Sequence, residues 1–136
     1  MIIMLNQKEI FYLMFFALDK CTRTNPTDAL LSFCGDVDPF LFTDRTSADP
    51  AVSDDFDKFF QKNVPGQTLG VQESLAFVKA FLESIQEYTY SWPHIKAAIE
   101  SVSEEEWAKG AEKLPSLPEG VNPFDGMDHL PLRDAF

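Results

Sequence analysis

The sequence predicts an all-α protein: an irregular bundle of about five or six helices with an extended, Pro-rich C-terminal tail packed on it. Three observations lead there. Apolar residues recur at helical spacing through most of the chain up to residue 114. Asn, Asp or Ser stands at the start of several of those segments, where a helix needs acceptors for its first free amides. From Pro115 onward the pattern stops, because four prolines and two glycines in 22 residues preclude a regular helix of any length. A chain of 136 residues, 45% apolar and with 13 phenylalanines, has the size and the large side chains for one packed core. The expected organisation is a single domain over 1–136, with a helical body over 1–114 and an irregular tail over 115–136.

The first helix starts at Asn6, which caps it, and Glu9 reaches back to the cap. The preceding Met-Ile-Ile-Met-Leu suits an extended, apolar lead-in. Ile10 to Leu18 leaves almost no polar face, so this helix is either the centre of the bundle or one half of a homodimer interface. Nine apolar residues fall well short of the roughly 20 that a membrane span needs. No positive cluster or small-residue cleavage site frames them as a secretory leader, and the expected location is the cytoplasm.

A second, short helix opens at Pro26 or Thr27 and closes at Gly35, with Leu30, Leu31, Phe33 and Cys34 as inward candidates. A long connection follows, with Phe40-Leu41-Phe42 tucked beneath it or paired as a short strand. Asp49 caps the third helix and Pro50 takes its first position; Val52, Phe56, Phe59 and Phe60 then form one stripe opposite Asp54, Asp57, Lys58 and Gln61. Val64 to Gly70 breaks the chain. Val71, Leu75, Val78, Leu82 and Ile85 carry a long helix to about Glu87, and Pro93 falls in the first turn of the next, which holds Ile95, Ile99 and Val102. Ser103 with Glu106 forms another capping box, opening a helix through Trp107, Ala111 and Leu114.

Two cysteines make no disulfide framework. With the first two helices antiparallel, Cys34 lies about two turns beyond the level of Cys21, too far for a bridge, and both are expected as buried, reduced thiols.

The charge balance is 11 basic against 22 acidic residues, net −11. Such a field repels nucleic-acid phosphates and anionic lipid and attracts basic surfaces. Direct nucleic-acid binding and membrane attachment are therefore not expected. The aspartates between Asp36 and Asp57 do not spell a calcium loop: counted from Asp36, the fifth, sixth and twelfth positions are Phe40, Leu41 and Ser47. Caps, turns and a solvated helix face explain them better than a metal. The two histidines, His94 and His129, sit in no catalytic or metal-binding motif, and there is no Gly-rich phosphate loop. Tyr88, Tyr90 and Trp92 alternate through a break between helices, where they either plug the junction or present an aromatic contact surface; the plug is the simpler reading.

Taken together, these features point to a small acidic cytoplasmic protein that acts by binding another protein, as an inhibitor, immunity-type or adaptor protein with a basic partner and without a cofactor. Asp54, Asp57, Tyr88, Tyr90 and Trp92 are its candidate contact residues. The competing reading is an enzyme or divalent-metal protein using Asp36, Asp38 and His129.

Overall fold

The computed structural model describes residues 3–38, 47, 49–86 and 92–114. The Phe40-Leu41-Phe42 segment, Asp44, Tyr88, Tyr90, His129 and the whole 115–136 tail lie outside them, with the expectations placed on them.

Among the described residues there are six helices and two short strands. In chain order they are β1 (Met4–Asn6), α1 (Gln7–Thr24), α2 (Asp28–Val37), α3 (Pro50–Asn63), β2 (Thr68–Gly70), α4 (Val71–Ser84), α5 (Trp92–Glu100) and α6 (Glu104–Lys113). The helical bundle is the expected one. Its core is a single cluster to which every helix contributes, with fully buried Phe16, Phe56, Phe60, Phe81 and Trp107 among its largest members.

α1 begins where the sequence places it. The Asn6 side chain accepts from the Glu9 amide at 2.9 Å, and the Glu9 carboxylate accepts from the Asn6 amide at 3.0 Å. Its run from Leu13 to Leu18 is at most 3% exposed, and α1 packs against all five other helices. It is the central helix. The apolar surface that a homodimer through this helix would use is spent inside the chain's own bundle.

The edge of α2 differs from expectation. Gly35 does not end the helix, which continues to Val37 and closes where the Asp38 amide donates to the Cys34 carbonyl at 3.1 Å. Gly35 is exposed and faces open space, so α2 runs through it at only the entropic cost of a helical glycine. The Asp49 amide then donates to the Asp36 carbonyl at 2.9 Å, tying the start of α3 to the end of α2. Asp49 caps α3 by accepting from the Ala51 amide at 3.0 Å, with Pro50 in the first turn.

The stripe on α3 makes an aromatic junction. Phe56 lies edge-on to Phe11 of α1 and to Phe77 and Phe81 of α4, at ring separations of 5.0, 5.6 and 4.9 Å. Such edge-to-face pairs add about 0.5–1.5 kcal/mol each to the burial of their area.

The stretch that reads as a simple break, Val64 to Gly70, holds a turn closed by the Gln67 amide on the Val64 carbonyl at 3.1 Å and then β2. β2 pairs antiparallel with β1, Met4 opposite Gly70, Leu5 opposite Leu69 and Asn6 opposite Thr68. The end of the apolar lead-in, Met4 and Leu5, is thus part of a strand, and Leu5 is its buried member.

α4 ends at Ser84, and Pro93 sits in the first turn of α5 as expected. α6 is closed at its start by the Ser103–Glu106 box. The Trp107 indole, completely buried, donates to the Ser74 hydroxyl at 2.8 Å, which donates in turn to the Val71 carbonyl at 2.6 Å. Cys21 and Cys34 are both buried, as expected. No helix among the described residues is long and apolar enough to cross a membrane.

Candidate functional site: an acidic side formed by α2 and α3

Charge in this chain is unevenly spread. From the start of α2 to the end of α3, residues 28–63 contain eight aspartates against Arg45, Lys58 and Lys62, which is −5 of the chain's −11. Seven of those aspartates are described, on or beside α2 and α3: Asp28, Asp36, Asp38, Asp49, Asp54, Asp55 and Asp57. All but the half-buried Asp38 are exposed. The two helices pack together, and the bond from the Asp49 amide to the Asp36 carbonyl brings the end of α2 to the start of α3.

The fold explains why so many carboxylates gather there. Asp28 and Asp49 occupy the starts of α2 and α3, where the helix dipole favours negative charge. The buried stripe of α3 turns Asp54, Asp55 and Asp57 outward. The tie between α2 and α3 then sets Asp36 close to Asp49. Partial burial, and secondarily the Asp49 charge, hold the Asp36 carboxyl above the usual aspartate range. This side keeps like charges together at a cost.

The described ion pairs are Lys20 of α1 with Glu106 of α6, Arg23 with Asp19 within α1 at 3.2 Å, and Lys109 with Glu105 within α6 at 3.7 Å. None of the three falls on α2 or α3. The Glu106 carboxyl is held below its usual range, first by the Lys20 hydrogen bond and then by its bonds within the capping box.

The residues singled out from the sequence separate into distinct settings. Asp54 is exposed on α3. Asp57 is exposed too but accepts from the Gln7 side-chain amide at 2.8 Å, and the Gln61 amide donates to Gln7 at 3.1 Å. Asp57 therefore helps hold α3 against the start of α1, which leaves Asp54 and Asp55 as the cleaner surface carboxylates. Trp92, the first residue of α5, is half-buried and packs against the core. Asp36 and Asp38 lie at the end of α2, and among the described residues no three His, Cys, Asp or Glu side chains gather as a metal site would need. Asp55 is exposed, as a residue on the solvated face of the third helix is expected to be, although it was not among the candidate contacts.

A second feature was not foreseen. A cavity of about 240 Å³ lies where the end of α1, the start of α2 and the first and last turns of α5 meet, and Cys21 and His94 both line it. The Cys21 thiol donates to the Ala98 carbonyl at 3.4 Å and lies 3.7 Å from the Ser101 hydroxyl, so its near neighbours are neutral oxygens.

These features define a small helical bundle with one strongly acidic side. The chain matches no protein-family model, no curated protein and no solved structure.

Proposed function

We propose that this protein acts by binding another protein whose basic surface docks on the acidic side formed by α2 and α3. The observation that carries the reading is the excess of carboxylates from the start of α2 to the end of α3: over residues 28–63 eight aspartates stand against Arg45, Lys58 and Lys62, −5 of the chain's −11. Natural folds usually intersperse surface charges of both signs, and a field of one sign steers a partner of the opposite sign. Asp54 and Asp55 make the centre of the contact; Asp57 contributes charge while holding Gln7. An enzyme inhibited at a basic cleft, as by an immunity-type protein, or a basic client of an adaptor, fits this surface. Two buried cysteine thiols suit a reducing compartment, and the cytoplasm is the location this reading carries.

The test is capture of partners from source-cell lysate by the wild-type chain and by a chain carrying Asp54→Lys and Asp55→Lys, each at low and at moderate salt. The expected result is a stoichiometric basic protein held by the wild type, released as salt rises, and lost from the double variant, which keeps its helical circular dichroism. Retention of the same proteins by the double variant, or an empty wild-type column at low salt, overturns the reading.

A further inference from the structure

The cavity at the end of α1 is polar without being charged. Buried Cys21, Leu30 and Ala98 form its floor and exposed Asn25, His94 and Ala97 its rim, so it opens to solvent. No aspartate, glutamate, lysine or arginine lines it. Helix ends of both signs border it as well. The ends of α1 and α5 bring the negative end of their dipoles, while the start of α2 and the first turn of α5 bring the positive end. A ligand of either charge would give up water here without gaining an opposite charge, and the lining therefore favours an uncharged molecule.

Donors and acceptors stand together in that lining. The Thr24 hydroxyl donates to the Lys20 carbonyl at 3.1 Å and the Ser101 hydroxyl to the Ala98 carbonyl at 2.6 Å, so both have lone pairs left to offer. The Thr27 hydroxyl accepts from the Leu30 amide at 3.1 Å and keeps its proton to give. Asn25 combines the two roles. Its main-chain amide is used, donating to the Cys21 carbonyl at 2.9 Å, but its side-chain carboxamide, exposed on the rim, bonds to no other described residue. A carboxamide holds a donor and an acceptor side by side in one plane, and a second carboxamide satisfies both at once in a ring of two hydrogen bonds.

We infer that this cavity binds a small uncharged aliphatic carboxamide, with its amide group paired to Asn25 and its alkyl part on Leu30 and Ala98. The site does not depend on the acidic side of α2 and α3, and loss of one leaves the other standing.

The experiment is an amide-resolved NMR titration of the full chain with n-butyramide. Butyrate and n-butylammonium serve as charged molecules of like size, and methyl butyrate as a neutral one that only accepts. Butyramide is expected to move the amides of Thr24, Asn25 and Ala97 and to saturate in the millimolar range, with each of the other three several-fold weaker. Ala97→Leu, at an exposed position on the rim, fills the cavity and abolishes the shifts without unfolding the chain. Asn25→Asp keeps the shape of the side chain, removes its donor and adds a charge, and it weakens butyramide several-fold while the helical circular dichroism stays. A peptide with one central glutamine separates the two sources of such a group: binding tighter than butyramide marks a protein side chain as the occupant, and weaker binding marks a free amide. Equal shifts with methyl butyrate or with either charged molecule, no shift with butyramide, or butyramide shifts that survive Ala97→Leu or Asn25→Asp unchanged overturn the assignment.

Discussion

The contact between α1 and α6 and the side formed by α2 and α3 use carboxylates in opposite ways. At the first, Glu106 is shared between a helix cap and the Lys20 ammonium, and its carboxyl is held low. At the second, the Asp36 carboxyl is held high, first by partial burial and then by the charge of Asp49 beside it. The difference teaches where to look for function on a surface with no recognisable motif. Charge that is paired and hydrogen-bonded stabilises the fold, whereas charge kept among like neighbours weakens it slightly and so calls for another explanation.

The comparison breaks most visibly at Trp107. Trp107→Ala empties a fully buried site between α6 and α4 and removes the indole donor to the Ser74 hydroxyl, and the expected loss is about 3–5 kcal/mol in urea unfolding. No single aspartate on α2 or α3, replaced by Asn, should cost a comparable amount; one that did would erase the distinction between the two regions.

Glu106→Gln comes next, with an expected loss of about 1 kcal/mol at neutral pH from the ion pair and the weakened cap. Because the folded-state carboxyl titrates below its ordinary value, its contribution is fully present above that value and is lost as pH falls through the lower one. The gap between wild type and variant should therefore close on acidification. A gap constant from neutral pH to acid would show that Glu106 acts through packing alone.

Asp36→Asn is the smallest effect and has the opposite sign. A carboxyl held high penalises the fold while it is ionised, and the penalty disappears as pH falls below the ordinary aspartate value. The variant should gain no more than about 0.5 kcal/mol at neutral pH, because the group is exposed and screened, and nothing in acid. Paired thermal melts at both pH values check it, and a loss of stability at neutral pH would mean that Asp36 is not strained.

The parts of the fold that could be read from the sequence are those decided within a few residues. Asn6 with Glu9, Asp49 with Pro50, and Ser103 with Glu106 each carry their whole instruction in four residues or fewer, and all three start a helix where expected. The failures are decided at a distance. Three residues are too few to show a period, so β2 could not be read without β1 beside it. Gly35 resembles a stop until the exposed surface around it is seen. At the candidate site, the exposure of Asp54 was legible from the helical stripe, but the hold of Asp57 on Gln7 joins residues that only the fold brings together. The meeting of Cys21 with His94 at one cavity has the same cause.

Uneven charge also gives the molecule a permanent electric moment. In the field of a charged neighbour it experiences a torque as well as a pull, and it turns its α2 and α3 side toward positive charge before any surfaces touch. At physiological ionic strength the Debye length is about 8 Å, so this turning occurs within the last few layers of water. It shortens the search through wrong orientations, and its imprint is on the speed of encounter more than on the lifetime of what forms.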